Sequence, residues 1–350
     1  MARVYLDHNA TTPLLPAARA AMIAAMDELG NPSSLHAEGR RVRDVVERAR
    51  DEVARAVGGR REEIIFTSGG TESNNLALRL GARAVVSAVE HPSVTGAARV
   101  RVDRAGRVDL DALASAIAAG DVVSVQLANH EIGVTQDLAA IVELARSRGA
   151  RVHTDAVQAA GKIAVDVGAL GVDALSLSAH KIGGPKGVGA LWLRDGIDVA
   201  PLVRGGHQER ERRAGTENVV GIAGFGAACA AIADGATAAA LGGLRDRFEA
   251  GARALGARVA AADAPRVPTT SYVAFDGVAG ELLMQALDLE GVAVSTGAAC
   301  SSGSLEPSPV LRAIEFPEGI RVSLGAGNTA EEIDRLLAIL PALLARILRA

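Results

Sequence analysis

The chain has 350 residues, with 37 basic and 41 acidic side chains, a net charge of −4, 49% apolar and 22% charged residues. At about 150 residues per domain this length suits two domains, and the balance excludes a disordered chain. No basic stripe interleaved with aromatics is present, so direct nucleic-acid binding is not expected. Aromatics make up only 2%, so the core must be built from Ala, Val, Leu and Ile. Two cysteines, Cys229 and Cys300, cannot frame a disulfide scaffold and suit a reducing compartment. The N-terminus lacks the apolar run of a signal peptide. The longest uncharged stretch, residues 219–233, is rich in Gly and Ala and falls short of the about 20 apolar residues of a membrane span. It reads as a buried helix. The expectation is a cytoplasmic protein without a membrane segment.

Between about residue 60 and 195, short apolar runs alternate with amphipathic stretches. Strands are expected at 63–67, 84–89, 122–127, 150–155, 174–178 and 189–193, and helices at 72–80, 110–119 and 138–148. This alternation argues for an α/β architecture with a parallel sheet covered on both faces, whose ligand sits at the carboxyl ends of the strands. Beyond about residue 235 the pattern changes. A long helix at 238–255 leads through a Pro-punctuated segment to a strand at 271–275, a helix at 280–289 and a strand at 292–295. A Gly/Ser loop, a strand at 320–324 and a final helix at 331–348, interrupted by Pro341, complete a smaller α+β unit.

Four constellations carry chemistry. Phe66-Thr67-Ser68-Gly69-Gly70-Thr71-Glu72 reads as strand, glycine turn and helix start, where backbone N–H groups receive phosphate or a Thr or Ser simply caps the helix. Asp155 ends a strand in His153-Thr154-Asp155-Ala156-Val157-Gln158, as a helix cap or as the carboxylate that keeps a pyridinium nitrogen protonated, with Gln158 in reach of the same ring. Ser178-Ala179-His180-Lys181 precedes a glycine-rich turn containing Lys186. The chain has 34 Arg and only three Lys, at 162, 181 and 186. Arg cannot replace Lys where an amine must lose its proton and attack a carbonyl. Finally, Cys300 stands among Gly, Ala and Ser in a loop suited to a reactive thiol, whereas Cys229 lies in an Ala-rich stretch and reads as core. The seven His show no metal-ligand spacing, and no G-x-S-x-G elbow occurs.

A phosphate turn, a strand-end Asp, a His-Lys pair and a distant loop Cys together imply pyridoxal phosphate chemistry. The sequence resembles the cysteine desulfurases of the NifS/IscS type, within the class V aminotransferase superfamily. The likeness runs from Tyr5-Leu6-Asp7-His8-Asn9-Ala10-Thr11-Thr12-Pro13 to Arg321-Val322-Ser323-Leu324-Gly325. It includes Gly30-Asn31-Pro32-Ser33-Ser34, Asn129-His130-Glu131-Ile132-Gly133 and the long loop after Cys300. It implies the fold type I architecture of pyridoxal-phosphate-dependent transferases: a large domain, residues 12–235, with a mostly parallel mixed sheet between helices. A smaller α+β domain, residues 1–11 and 236–350, carries the Cys300 loop.

The resemblance also implies roles. Lys181 holds the coenzyme and moves the substrate's Cα proton. Asp155 pairs with the ring nitrogen and Gln158 with the ring hydroxyl. Gly70, Thr71, Ser178 and His180 receive the phosphate, and Thr216 is lent to the partner subunit of a homodimer. His91 stacks on the ring and serves acid–base steps. His130 stands where the family usually has Asn, as a cofactor contact. Arg321 and Asn31 bind L-cysteine. Cys300 accepts the sulfur, passes it to an acceptor protein (an iron–sulfur scaffold or a sulfur relay), and is a transient iron–sulfur ligand. Selenocysteine lyase, another class V aminotransferase, or a catalytically silent interaction subunit are the alternative readings.

Overall fold

The computed structural model describes residues 3–232, 236–296 and 308–349, the side chains of 236–239 apart. Its strands in chain order are β1 (Val4–Tyr5), β2 (Ile64–Thr67), β3 (Ala84–Ser87), β4 (Ala98–Val100), β5 (Val122–Ser124) and β6 (Arg151–Asp155). There follow β7 (Ala174–Ser178), β8 (Gly189–Leu193), β9 (Arg258–Val259), β10 (Thr270–Ala274), β11 (Val292–Ala293) and β12 (Ile320–Ser323). Seven form the main sheet in the order β2-β8-β7-β6-β5-β3-β4. The central strands β5, β7 and β8 are buried along their whole length, as strands covered by helices on both faces must be.

The sheet is parallel except at β8, which runs antiparallel to both β2 and β7. The alternating sequence pattern points to a parallel strand there. The chain reverses because the connection from β7 to β8, residues 179–188, is too short for a parallel crossover, which takes about a dozen residues or more and usually a helix. That tight connection carries His180 and Lys181, so the reversal keeps both at the sheet's edge.

The helix Val219–Ala231 is buried through its middle, from Gly221 to Gly226 and at Ala228 and Cys229, as its composition suggests. Its glycines explain how. A Cβ on Gly224 would lie 2.6 Å from Met22 Cγ in the helix Pro16–Met26, and one on Gly226 would lie 2.6 Å from Ala49 Cα in the helix Ala37–Ala56. Backbones approach where side chains are missing, and Phe225 fills the space between against Phe66.

A second apolar core gathers Leu6, Phe248, Val273, Leu287, Ile320, Leu336 and Leu340. It lies between the sheet β12-β10-β9, the parallel pair β1-β11 and three helices, Ala236–Ala254, Gly280–Leu289 and Ala330–Ile347. The last helix runs through Pro341 rather than breaking there. Proline removes one backbone donor, but Leu340, Leu343 and Leu344 are anchored in the core on either side of it. Through β1 the N-terminal segment enters this core at Leu6, then crosses to the main sheet. Among the described residues no helix is long and apolar enough to cross a membrane.

This packing predicts opposite effects for two glycines. Gly226→Ala should cost about 1–3 kcal/mol by overpacking two helices. Gly243→Ala, in a helix with open space beside it, should gain about 0.5–1 kcal/mol. Urea unfolding curves measure both.

Candidate active site

The carboxyl ends of β6 and β7 open on a cavity of about 570 Å³. β6 delivers Asp155 to its floor, 6% exposed. One carboxylate oxygen accepts from Val157 N at 2.9 Å and the other from Asn74 Nδ2 at 2.7 Å. Asn74 comes from the helix Gly70–Ala77, and its Oδ1 is buried without a partner among the described residues. β7 ends at Ser178 and turns through Ala179–Lys181, which presents His180 and Lys181 to the cavity. Lys181 Nζ donates to the main-chain oxygens of Asn9 at 2.5 Å and Ala10 at 2.8 Å.

The turn before the helix Gly70–Ala77 requires glycine. Gly69 has φ 154°, a region closed to other residues, and it caps the helix without a side chain. The first N–H groups therefore face the cavity uncapped, with Gly70 and Thr71 on its wall. Gly189 at the start of β8 makes room for this turn, since a Cβ there would sit 2.7 Å from Gly69 Cα.

Two imidazoles meet edge to face across the cavity, His91 and His130, with centroids 5.6 Å apart. His91 Nδ1 accepts from Ser93 N at 3.1 Å, which leaves the proton of the neutral ring on Nε2. Burial, then the neighbouring His130 and Lys181, push His91 down to about 4. It is a neutral ring at neutral pH. Burial followed by Lys181 and Lys186 does the same to His180. His130 Nδ1 lies 3.3 Å from Gln126 Oε1, and its main-chain oxygen accepts from Arg321 Nη1 at 3.0 Å. Arg321, brought by β12 from the second core, is 3% exposed. Its Nη2 pairs with Asp7 at 2.7 Å, and its Nε is buried without a partner among the described residues.

The fold thus gathers Gly70, Thr71, His91, His130, Asp155, Gln158, Ser178, His180, Lys181 and Arg321 around one space. Asn31 and Thr216 are not on its wall. Asn31 is exposed and accepts from Ser33 N. Thr216, also exposed, lines a neighbouring hollow of about 140 Å³ that shares Ser68 and Gly187 with the main cavity. Cys300 lies outside the described residues. The flanks of its segment are placed: Tyr272 Oη donates to Thr296 O at 3.2 Å, and Ser308 Oγ donates to Glu131 at 2.7 Å. Cys229 is fully buried, and burial pushes its thiol pKa up, consistent with a core residue.

Lys186 is exposed at the cavity rim, whereas Lys162 is buried behind it. Sequence reasoning missed the roles of Asn9, Asn74, Ser93 and Gln126. Asn9 stands in the stretch Tyr5 to Pro13 and Asn74 two residues beyond Glu72, but nothing in a sequence shows which backbone oxygen an amine will reach. Ser93 and Gln126 carried no signal beyond proximity to His91 and to a strand end.

Residues 4–336 match the aminotransferase class-V family, to which the chain belongs. Within it the chain is a member of the cysteine desulfurases. It is 46% identical over 370 residues to the cysteine desulfurase of Cereibacter sphaeroides, covering 97% of this chain and 95% of that one. It is 40% identical over 377 residues to the cysteine desulfurase NifS of Azotobacter vinelandii, covering 99% and 94%. Two solved structures agree in fold. A NifS-like protein superposes with a TM-score of 0.91 at 34% identity, covering 98% of this chain and 99% of that one. Another, from Rickettsia africae, gives 0.89 at 32%, with 98% and 99% covered.

Four imidazoles, those of His8, His91, His153 and His180, are held at about 4 against an ordinary 6.5, burial being the first cause in each. Between these two values the unfolded chain binds the more protons, so these groups make stability fall as pH falls from 6.5 to 4. Glu90, pushed up to about 8 by burial, opposes them between 4.5 and 8. The prediction is that nuclear magnetic resonance finds these four rings neutral down to about pH 5. A ring among them titrating near 6.5 would contradict the burial argument.

Proposed function

We propose that this chain binds pyridoxal 5'-phosphate in the cavity and converts L-cysteine to L-alanine, keeping the sulfur as a persulfide on Cys300 for an acceptor protein. One observation carries the reading. A buried carboxylate at the end of β6 and an amine just beyond β7 share one wall with an uncapped helix N-terminus.

The residues fit the coenzyme. Lys181 is the amine for its aldehyde, Asp155 the partner for its ring nitrogen and Gln158 for its ring oxygen. The N–H groups at Gly70 and Thr71, with Ser178 and His180, suit its phosphate. The unpartnered Asn74 Oδ1 beside Asp155 is a further acceptor awaiting a donor. When bound, the coenzyme supplies an electron sink that acidifies the carbon atoms of an amino acid.

The chain's own groups supply the rest. Arg321 offers its unpartnered Nε, and by exchange with Asp7 its Nη2, to the substrate carboxylate, a planar fork for two oxygens. Lys181 takes and returns the proton at the substrate's Cα through its Nζ. The main-chain oxygens of Asn9 and Ala10 accept from its Nζ and fix where the amine stands. His91, a neutral ring with its proton on Nε2, covers the site and donates or accepts a proton there. Cys300, as thiolate, attacks the substrate sulfur. An S–S bond forms, the Cβ–S bond breaks, and the substrate carbon takes up protons and leaves as alanine. The balance is L-cysteine plus enzyme thiol giving alanine plus enzyme persulfide.

The rest of the reading follows the family. The chain works as a homodimer, with Thr216 lent to the partner's phosphate site, in the reducing cytoplasm. Residues 12–235 form the coenzyme domain, and residues 1–11 with 236–350 the smaller one. An iron–sulfur scaffold or a sulfur relay receives the persulfide.

Cys300→Ser should retain bound coenzyme but yield neither persulfide, by intact mass, nor alanine from cysteine. Unchanged alanine formation would favour an aminotransferase or a lyase that makes no use of this thiol. Arg321→Lys should raise KM for cysteine by about tenfold or more, because an ammonium cannot replace the two-pronged contact. An unchanged KM would remove Arg321 from the substrate site.

A further inference from the structure

The third lysine takes no part in the reading above, and its place is unusual. Lys162 is 7% exposed, and no ion pair joins it to a carboxylate among the described residues. Its Nζ donates to Gln158 Oε1 at 2.5 Å and to Asn9 Oδ1 at 2.6 Å. A buried amine facing only neutral amides is costly as a charge. Burial, then Lys181 and Arg321, push its pKa well below the ordinary lysine range. Charged or neutral, it keeps enough hydrogens to donate to both amides.

We propose that Lys162 is a positioning residue of the coenzyme site, locking Gln158 with its N–H face toward the oxygen of the bound ring and Asn9 with its main-chain oxygen toward Lys181. An amide side chain has two nearly equal ends that differ only in whether they donate or accept. An amine that gives a hydrogen to each of its two amide neighbours resolves the choice, because a carbonyl oxygen must then face each of those hydrogens. Gln158 Oε1 is thereby committed. Gln158 Nε2 gives one hydrogen to Asn9 O at 2.9 Å and has the other for the cavity that Gln158 lines. Asn9 is fixed in the same way. With its Oδ1 on Lys162, its Nδ2 donates to His130 O at 3.1 Å and to Thr270 Oγ1 at 3.0 Å. Its main-chain oxygen receives Lys181 Nζ. The same His130 oxygen holds Arg321. One amine therefore sets the polarity of the ring contact and steadies the supports of both Lys181 and Arg321.

This inference rests on pyridoxal phosphate being the coenzyme, and the test separates the two. The dissociation constant for pyridoxal phosphate and the visible absorption band of the bound coenzyme are measured in four proteins: the unaltered chain, Lys162→Met, Gln158→Ala and the double variant. A chain that binds no pyridoxal phosphate overturns the functional reading itself. If the unaltered chain binds it, Lys162→Met should weaken affinity by about tenfold, as loss of a supporting hydrogen-bond partner does. It should also displace the band, because a freed Gln158 can turn its oxygen to the ring. In the Gln158→Ala background the same change should cost clearly less affinity, because only the support of Asn9 is then left to lose. A Lys162→Met protein with unaltered affinity and band overturns the proposal. So does an equal loss with and without Gln158, which would make Lys162 merely structural. Should the methionine variant not fold, Lys162→Gln, whose amide can turn either its oxygen or its N–H to Gln158 and so no longer settles the polarity, enters the same cycle and is read by the same criteria.

Discussion

The site depends on a hold between two parts of the fold. The amine of Lys181 rises from the edge of the main sheet, and the carbonyls that receive it belong to Asn9 and Ala10. Those residues follow directly on a strand paired to β11 and a leucine sunk in the second core. A primary amine in a cavity needs acceptors, and two of them here come from a segment anchored in the second core. The placement of Lys181 thus draws on both cores. Arg321 is tied to the same assembly from the other side, through His130 and Asp7.

The charge around the cavity has a direction. Lys181, Lys186 and Arg321 line it together with an open helix N-terminus, against the carboxylates of Asp155 and Glu72. Asp155 is engaged by two donors, and Glu72 by Arg213 and Ser68 N. The helix start without a side-chain cap and the Nε of Arg321, without a partner among the described residues, are donors suited to anionic groups, as a phosphate and an amino-acid carboxylate would provide. His91 and His180 add no positive charge. Burial keeps His91 and His180 neutral at neutral pH, so they serve as ring surface and hydrogen-bonding groups rather than as cations.

Much of this was legible in the residue order, because strand ends and glycine turns are local features. The termini of β7 and β8 fall at the residues the apolar runs predict. Asp155, Ser178 and the Gly69 turn are brought together by nothing more than the rule that ligands gather at carboxyl ends. Other parts were not legible for physical reasons. β4 is three residues long, pairs only with β3, and carries the exposed Arg99, so no apolar run announces it. The reversal of β8 depends on the length of a connection rather than on any residue in it. The helix Ala37–Ala56, which no element expected from the sequence covers, buries Val42, Val46, Ala49 and Val53, and the partner that fits it is chosen by glycines far along the chain. The contacts of Asn9 with Lys162, Gln158 and Lys181 join positions more than a hundred residues apart, and sequence spacing is silent about them.

The central claim is that one particular lysine of three bears the coenzyme. Hydride reduction of the protein loaded with pyridoxal phosphate makes an amine–aldehyde linkage permanent, and peptide mass mapping then finds the residue that carries it. The account predicts the added mass on Lys181 alone. A label on Lys162 or Lys186, or no stable label on any lysine, would contradict it.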